Sequence, residues 1–600
     1  MTMIGTRALW RAAKNRPTSV YHRVGLASSE NNAFLRSERI LAPSLLQTTT
    51  TTVQPYSTSV SKNCFSSCSS LCNSTIQKKD FSTAAATAKN DCEFLANAEL
   101  CGYSELEGWL TQGGDDRSLI LPKTGANKYH IMPKPINKDA IFRGSCTCNA
   151  PTERGYLAAS ELYGKEFEGK SSDVVDEKLS EIFENQRQRI ASSLELPEGT
   201  EVVLCPSGSD AEYLPIVMAR MLCGSSEGDE VRPMLNVVTQ LKEIGAGSSV
   251  ASGGLYFSTH APLSGRLADS EGRLAGFDDI EEISIPARER NGDVIDGSKK
   301  ALELAAASED GTYTIIHGVF GGKTGLRDSV MPGSASIENS MGVIDACQGR
   351  FSMEELHSWL EQDSIVLFTA SKFYQAPPFC GAVFIPKRIA ERLSQVTEAP
   401  KPKEMFDSLS GFLTDKELSP CLESWKPLLK KNTSNNIGLA LRWEAGLAGM
   451  EALGNTPDPE RVAAVEEWAE KVTDMVQAEP ALDAWCVERS IISVRLSKGD
   501  SSWRSMSELR DVYRLMSLDL SSVVPADASP EEKRSLAVCC NLGQPVDVAE
   551  SHAILRIALG SESLAAYIDD KGKTLEEDRM AVQKLASLAK YYDHLMESGI

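Results

Sequence analysis

Residues 367–386 read Leu367-Phe-Thr-Ala-Ser-Lys-Phe-Tyr-Gln-Ala-Pro-Pro-Phe-Cys-Gly-Ala-Val-Phe-Ile-Pro386. An apolar run typical of a strand ends at Phe368, and a second one begins at Gly381, with two prolines between them that force a turn. Lys372 follows the first run closely. The pattern therefore predicts two strands joined by a turn, with an amine at the end of the first strand, facing a crevice.

The chemistry of Lys372 depends on how far its amine is removed from water. Apolar and hydroxyl neighbours would reduce its hydration and favour the neutral amine, which is a nucleophile. The reaction that most often uses such an amine is Schiff-base formation with a carbonyl, above all with pyridoxal phosphate (PLP). A lysine that lays its stem along apolar surface and keeps its charge in water is the other interpretation of this segment.

Composition sets limits on the class of protein. The chain has 600 residues, more than the roughly 100–200 of one domain, so two or more structural units are expected. Hydrophobic residues make up 42% and charged residues 24% of the chain, and no apolar stretch is long enough to span a membrane. The net charge is −21, and residues 80–600 carry 81 acidic against 52 basic residues. Such an acidic body repels phosphates, so no nucleic-acid partner is expected.

The first 79 residues differ in charge from the rest, with ten Lys and Arg and only two acids, Glu30 and Glu38. Residues 1–16 can wind as a basic amphipathic helix, and a Ser/Thr-rich run follows. This composition is typical of an organelle transit peptide. We expect residues 1–85 to be a mitochondrial transit peptide and leader, with a plastid as the alternative destination. A disordered tail without a targeting role is the other interpretation.

The 15 cysteines are scattered through a long chain and are interpreted as reduced thiols. Cys64, Cys68 and Cys72 have helical spacing, but they lack the ligand set of zinc motifs. No metal site is predicted.

Strand-like runs alternate with helical stretches from residue 173 onward, which predicts an α/β fold with a mostly parallel sheet. In such sheets ligands bind where the strands end. The predicted strands are 201–205, 234–239, 255–258, 283–285, 313–317, 342–345, 365–369 and 381–385.

Two strand ends carry further candidate residues. Pro206-Ser-Gly-Ser-Asp-Ala-Glu-Tyr213 joins a strand to a helix, a geometry that can hold a phosphate at 208–210, although a capping turn at a helix start is the commoner explanation of such a sequence. Asp345 closes another strand and precedes Gln348 by three residues. Asp345 could keep a pyridine nitrogen protonated while Gln348 bonds the ring hydroxyl, or Asp345 could cap the next turn.

Together these residues resemble the fold type I PLP-dependent enzymes, and most closely the class V aminotransferase branch, which includes the cysteine desulfurases. Asp345 and Gln348 match the family's Asp-x-x-Gln, and Thr369-Ala-Ser-Lys372 is similar to its Ser-x-His-Lys. Ser207-Gly-Ser-Asp210 resembles its phosphate loop, and Lys323-Thr-Gly-Leu326 has a counterpart there. The order and spacing hold over roughly residues 170–390.

The sequence departs from the family pattern in three places. Ser371 stands where the family has histidine, and Gly322 stands where an Asn or a similar group is usual. The family's ring-stacking histidine has no counterpart in 239–249. The chain therefore resembles a remote branch, and the ring-stacking role stays unassigned.

The resemblance implies a fold type I PLP transferase: a large domain with a mostly parallel sheet flanked by helices, and a smaller C-terminal α+β domain. The implied boundaries are 86–150 for an N-terminal segment packing on the small domain, 151–430 for the PLP-binding domain and 431–600 for the small domain. Lys372 and Asp345 are the implied catalytic residues. The residues implied to hold the cofactor are Ser207, Gly208, Ser209, Asp210, Asp345, Gln348, Thr369, Ser371 and Lys372.

The family's small domain supplies an arginine for the substrate carboxylate. Arg556 matches that position best, followed by Arg495 and then Arg350, and each could instead be a surface or sheet-edge arginine. The resemblance implies a homodimer that acts on an amino acid as an aminotransferase or lyase. The alternatives are a cysteine desulfurase or lyase, with Cys421 as the candidate thiol, and a PLP-fold scaffold without catalysis.

Overall fold

The computed structural model describes residues 92–599 except for 137–138, 145–148, 224–231, 268–271, 309–310, 334–338, 397–401, 430–434, 455, 501 and 550–551. The predicted transit peptide and the cysteines at 64, 68 and 72 lie outside the described residues. The described part of the chain belongs to one compact unit. Within it, no helix combines the length and apolarity needed to cross a membrane.

The described strands are numbered in chain order. They are β1 Ile141–Arg143, β2 Glu201–Cys205, β3 Met234–Leu241, β4 His260–Ala261, β5 Gly265–Arg266, β6 Ile280–Pro286, β7 Tyr313–Val319, β8 Ser340–Asp345, β9 Ile365–Thr369, β10 Gly381–Ile385, β11 Leu482–Glu488, β12 Ile491–Leu496, β13 Cys540–Ala549 and β14 His552–Ala558.

The described α-helices are numbered in the same way. They are α1 Cys92–Leu100, α2 Glu105–Thr111, α3 Glu153–Glu166, α4 Ser172–Ser193, α5 Tyr213–Leu222, α6 Ala246–Ala251, α7 Ser298–Ala306, α8 Met353–Glu361, α9 Lys387–Gln395, α10 Pro402–Leu409, α11 Ile437–Glu451, α12 Asp458–Ala478, α13 Met506–Met516, α14 Pro530–Ala537, α15 Ser561–Asp569 and α16 Lys571–Glu597. Two 3-10 segments, Asp210–Glu212 and Pro420–Leu428, complete the set.

A seven-stranded sheet in the order β2-β10-β9-β8-β7-β3-β6 forms the centre of the molecule. β10 runs antiparallel to both of its neighbours, and the other adjacent strands are parallel. The inner strands β9 and β10 read as continuous apolar runs because both faces of the sheet are covered there. The predicted α/β fold with a mostly parallel sheet is confirmed.

A second sheet of five strands, β1-β13-β14-β12-β11, lies in the C-terminal part of the chain with helices α12–α16. Its first strand comes from the N-terminal segment, because β1 pairs in parallel with β13. Helix α2 of the same segment contacts α11, as does the following helix α3. The described residues between 92 and 150 thus contact the small sheet through β1 and helix α11 through α2.

The predicted strand at 255–258 is wrong. Leu255 makes a single bridge to Arg273, and no ladder continues from it. The apolar residues of this segment serve aromatic packing instead: the Phe257 ring stacks with Tyr213 at 6.3 Å, and the Tyr256 ring with Phe412 at 6.2 Å. Short apolar runs do not distinguish a strand from a buried loop.

Residues 402–429 cover one edge of the central sheet. The Leu204 N–H of the edge strand β2 donates to Glu417 O at 3.1 Å, and Trp425 of the same segment is fully buried. A bare strand edge exposes unpaired backbone groups and favours aggregation. This part of the chain therefore protects β2.

Arg442 of α11 fixes the N-terminal segment to the central sheet. The fully buried guanidinium donates to Phe379 O at 2.6 Å, to Gly113 O at 3.2 Å and to Gln112 O. Each carbonyl would lose a donor if the guanidinium were removed, and buried acceptors without a donor are costly.

We predict that Arg442→Met lowers the free energy of unfolding by about 3–5 kcal/mol. Urea denaturation measures this value. Arg388→Met is the matched control, because the Arg388 side chain is 72% exposed and pairs only with Asp363 at the surface; it should change stability by less than about 0.5 kcal/mol. Equal losses in the two variants would contradict the anchoring role of Arg442.

Candidate active site

Lys372 lies three residues beyond the end of β9, at the edge of the sheet where the parallel strands end. Its side chain is partly buried. The neighbouring strand β8 ends at Asp345, which pairs with Leu367 of β9. The two residues that the sequence predicted to act together are therefore supplied by adjacent strand ends.

The backbone of Lys372 is held by parts of the chain distant in sequence. Asn149 Nδ2 donates to Ser371 O at 2.6 Å, and the Phe373 N–H donates to Gln348 O at 3.3 Å. On the far side, the Ser561 N–H donates to Phe373 O at 2.7 Å. These bonds fix the Lys372 backbone between the N-terminal segment, the turn after β8 and the start of α15.

Two buried hydroxyls, those of Thr369 and Ser371, lie between the end of β9 and Lys372. Thr369 Oγ1 donates to Cys380 O at 2.7 Å and accepts from the Ser371 N–H at 3.1 Å. It also lies 2.7 Å from Ser371 Oγ. Since the Thr369 proton goes to Cys380, Ser371 donates to Thr369 here. The Ser371 hydroxyl must rotate before it can donate to a phosphate oxygen.

Asp345 and Gln348 form one turn after β8. Asp345 Oδ1 accepts from the Cys347 N–H at 3.0 Å, so the carboxylate also caps its own turn, as the alternative interpretation predicts. Gln348 Nε2 donates to Gly322 O at 3.3 Å, while its Oε1 is buried without a hydrogen-bond partner in the described structure. A buried acceptor without a donor is unusual and points to a missing ligand.

The Cys347 thiol lies within electrostatic range of both Asp345 and Lys372. Burial raises its pKa, the charge of Asp345 adds to this effect, and the charge of Lys372 opposes it. The turn after β8 therefore lies within electrostatic range of Lys372.

The loop 207–210 forms a capping turn at the start of the helical segment that leads into α5. Ser207 Oγ accepts from the N–H groups of Ser209 at 3.2 Å and Asp210 at 3.1 Å, and donates to Asp210 Oδ2 at 2.6 Å. Gly208 packs on the turn after β8, because a Cβ there would lie 2.6 Å from Cys347 Sγ. To bind a phosphate, the N–H groups of Ser209 and Asp210 would have to exchange their hydrogen bonds to Ser207 for bonds to the phosphate oxygens.

Asp210 is fully buried beneath this loop. Burial raises the pKa of Asp210 to about 7; the Ser207 hydroxyl opposes this shift, and the charge of Asp115 adds to it. Arg117 pairs with Asp115 at 2.6 Å and stacks on the Phe379 ring at 5.0 Å. The N-terminal segment therefore brings both a carboxylate and a guanidinium to the predicted phosphate loop.

Glu212 and His317 form a buried pair of titratable groups. The Glu212 carboxyl lies within electrostatic range of Asp345. Glu212 Oε2 lies 3.4 Å from His317 Nδ1, and both side chains are almost completely buried. Burial lowers the pKa of His317 to about 3, and burial together with the charge of Asp345 raises the pKa of Glu212. Burial therefore favours the neutral form of each group despite the short separation, which disfavours a second negative charge near Asp345.

Arg556 lies in β14 and reaches the turn after β7. Its Nη1 donates to Lys323 O at 3.1 Å, and its Nε and Nη2 donate to Gln544 O at 3.2 and 3.1 Å. Burial and the charge of Arg556 lower the pKa of Lys323 to about 8, with Lys372 acting in the same direction and Glu243 against it. Arg556 and Lys372 therefore both lie within electrostatic range of Lys323, and Arg556 also bonds the backbone of the turn that carries it.

Arg350 lies two residues beyond Gln348. Its Nη1 donates to Leu559 O at 2.6 Å and to Ser490 Oγ, while Nε and Nη2 are buried without a hydrogen-bond partner among the described residues. Burial and the charge of Arg556 lower the pKa of Arg350 to about 9. The guanidinium lies 5.4 Å from the centre of the Phe373 ring, next to Lys372.

Arg495, the second choice from sequence, is engaged elsewhere. It pairs with Asp483 at 2.7 Å and stacks on the Trp503 ring at 4.4 Å. Of the three candidate arginines, Arg556 and Arg350 therefore contact elements next to Lys372, whereas Arg495 pairs with Asp483.

Sequence reasoning missed Asn149, Glu212, His317 and Lys323 as neighbours of the site. Glu212 and Lys323 stand in turns at strand ends, which is a signal that marks them as candidates. His317 is inside a buried strand, where its apolar neighbours conceal it. Asn149 has no signal, because its role depends on a contact across more than 200 residues.

Comparisons with solved structures find similarity in fold at low sequence identity. The Oryza sativa TDC structure with PLP and tryptamine matches with TM-score 0.41 and 12% identity, over 73% of this chain and 82% of that chain. The Escherichia coli cysteine desulfurase CsdA matches with TM-score 0.40 and 14% identity, over 74% and 96%. The Cytophaga hutchinsonii phosphoserine aminotransferase SerC matches with TM-score 0.42 and 11% identity, over 74% and 99%.

The matched structures are of fold type I PLP-dependent enzymes, the fold type that the sequence resemblance predicts. No family model matches the chain, and no curated protein matches it in sequence. Every TM-score is below 0.5, so the function proposed below rests on the residues of the site.

The raised pKa of Asp210 makes stability depend on pH. The folded protein holds this proton up to about pH 7, whereas the unfolded chain releases it near about pH 4, so stability falls as pH rises between these values. We predict that Asp210→Asn gains about 2–3 kcal/mol relative to the wild type between pH 5 and pH 8. Urea unfolding at both pH values measures the gain. The exposed Asp293→Asn should show none, and parallel pH curves for Asp210→Asn and the wild type would contradict the prediction.

Proposed function

We propose that this protein is a PLP-dependent enzyme that acts on an amino acid through Lys372, as an aminotransferase or lyase. One observation carries the proposal: Lys372 and Asp345 come from the ends of adjacent parallel strands, at the same edge of the sheet. An amine and a carboxylate in this relation can hold opposite sides of one pyridine ring.

The residues present fit the cofactor. Gln348 Oε1 is a buried acceptor that lacks a donor, as expected of a group that meets a ring hydroxyl. The loop 207–210, together with Ser371, supplies backbone N–H groups and hydroxyls for a phosphate once Ser207 and Ser371 release them. A protonated Asp210 is compatible with a phosphate, because it removes a like charge from beneath the loop.

When bound, PLP supplies an electron sink for the bond that breaks at the α-carbon of an amino acid. Asp345 would hold a proton on the ring nitrogen, and the raised pKa of Glu212 would disfavour a second negative charge near that carboxylate. Lys372 would hold the cofactor aldehyde, and its amine would move the proton at the α-carbon. Arg556 or Arg350 would bind the α-carboxylate and orient the substrate.

The desulfurase alternative requires a nucleophilic cysteine that reaches the substrate. Cys421 lies in the segment beside Glu201, where β2 begins, whereas the site lies where β2 ends. Burial raises the pKa of Cys421 to about 12, so the thiol is protonated at pH 7 and a poor nucleophile. These observations disfavour Cys421 as a sulfur carrier.

We predict that borohydride reduction of the protein with bound PLP attaches the pyridoxyl group to Lys372, as read by peptide mass spectrometry. Lys372→Ala should lose this label, and its turnover of amino acids should fall roughly 10²–10⁴-fold, because the proton-transfer group is gone. The exposed Lys300→Ala is the control and should keep both. Normal turnover by Lys372→Ala would refute the proposal. A cofactor absorbance that responds to no amino acid would favour the scaffold alternative.

We also propose that residues 1–85 direct the protein to mitochondria, with plastids as the alternative. The support is the acid-poor, Arg-rich composition of the segment. Residues 1–85 fused to a fluorescent protein should be imported, and replacing Arg7, Arg11 and Arg16 with Ala should abolish import. A fusion that stays in the cytosol would contradict the proposal. We further propose, from the family resemblance, that the protein assembles as a homodimer.

A further inference from the structure

Four basic residues lie in elements that meet near the end of β8: the charges of Arg556 and Lys372 are within electrostatic range of Lys323, and that of Arg556 is within range of Arg350. Lys323 belongs to the turn after β7, Arg556 to β14, Arg350 to the turn after β8 and Lys372 to the turn after β9. Arg556 bonds the Lys323 carbonyl oxygen at 3.1 Å, and Arg350 bonds the carbonyl of Leu559, three residues beyond Arg556. In the described part of the chain none of the four forms an ion pair with a carboxylate.

The Lys323 amine bonds a neutral acceptor and not a carboxylate. Its Nζ donates to the Lys242 carbonyl oxygen at 2.6 Å, which is a neutral acceptor, and its side chain is only partly buried. The nearby carboxylate of Glu243 is already engaged by Arg288 at 3.1 Å and by the Thr324 hydroxyl at 2.9 Å. Close cations without an anion between them repel each other, so an added anion would be favoured there.

The cofactor phosphate does not fill this role. The predicted phosphate residues follow β2 and β9, whereas Lys323 follows β7, and β8 separates β7 from β9 in the sheet. A phosphate at 207–210 and Ser371 therefore lies on the other side of the Asp345 strand. The anion that meets Lys323 has to come from the substrate.

One carboxylate is too little for the group. The α-carboxylate of an amino acid can pair with Arg556 or Arg350, and Lys372 is committed to the aldehyde. Lys323 would still lack an anionic partner, although its side chain is only partly buried. A substrate with two anionic groups supplies both partners at once.

We propose that Lys323 binds a second anionic group of the substrate, so that the enzyme acts on amino acids whose side chain ends in a carboxylate or a phosphate. This inference rests on the proposed function and narrows it to a substrate class. Lys323 is then a specificity residue that touches the substrate.

The test compares acidic amino acids with uncharged counterparts of similar size on the PLP-loaded enzyme. L-aspartate, L-glutamate and O-phospho-L-serine are titrated against L-asparagine, L-glutamine and L-serine, with the cofactor absorbance as the readout of binding. We expect at least one acidic ligand to bind about 10-fold or more tightly than its counterpart, since one added charge pair is worth at least this factor in a partly buried site. The order among the three acids distinguishes carboxylate from phosphate.

Variants assign the preference to Lys323. Lys323→Gln should abolish the preference for the acidic ligand while leaving the weak binding of its counterpart unchanged, and Lys323→Arg should restore it. Lys242→Gln is the matched control, because it removes a charge from an exposed neighbouring side chain. Equal affinities for acidic and uncharged ligands in the wild type, or a preference that survives in Lys323→Gln, would overturn the inference.

A second probe separates this inference from the proposed function. Glutarate carries two carboxylates and no amine, so its binding by isothermal titration calorimetry does not depend on PLP chemistry. Glutarate that binds the wild type but not Lys323→Gln supports the anion site even if no amino acid perturbs the cofactor. Glutarate that binds both proteins equally, or neither, counts against the site even if Lys372 is labelled by borohydride.

Discussion

The parallel pairing of β8 with β9 is the constraint on which the site depends. Because the two strands run in the same direction in adjacent positions, Asp345 and Lys372 emerge at one edge of the sheet. The reversed strand β10 then brings a third element to the same place, since Gly381 pairs with both Thr369 and Cys205. A Cβ at 381 would lie 2.7 Å from the Ser207 backbone, so the glycine allows the loop 207–210 to pack beside the lysine turn.

Much of this arrangement can be predicted from sequence because its signals are local. The apolar runs that end at Asp345 and Thr369, and the prolines between β9 and β10, are each contained in fewer than twenty residues. Asn149 and Arg117 could not be predicted in the same way, since each reaches the site from the N-terminal segment. The mistaken strand at 255–258 has a related cause: its apolar residues pack on Tyr213 and Phe412, which the sequence places far away.

The charge of the site differs from the charge of the chain. The protein as a whole is strongly acidic, yet burial raises the pKa of two carboxyls near the site, Glu212 and Asp210, the latter to about 7, so their negative charge is disfavoured. The basic residues Lys323, Arg350, Lys372 and Arg556 form no ion pair with a carboxylate among the described residues. Local desolvation therefore reduces the negative charge near the site relative to the rest of the protein, which is the basis of the proposed preference for anionic ligands.

The order of the strands also orients whatever binds there. Groups suited to a phosphate follow β2 and β9, and the unpaired bases follow β7 and belong to β14, with Asp345 between the two sets. Under the proposed function, a ring held by Asp345 would direct its phosphate toward the turns after β2 and β9. The substrate carboxylate would then lie on the side of the turn after β7 and β14. Because Gln348 bonds the Gly322 carbonyl oxygen while its chain neighbour Cys347 packs on Gly208, the single turn after β8 fixes the spacing of both sets. Under the proposed function, displacing that turn would disturb cofactor and substrate binding together, and the pairing of β8 with both β7 and β9 holds the start of the turn in place.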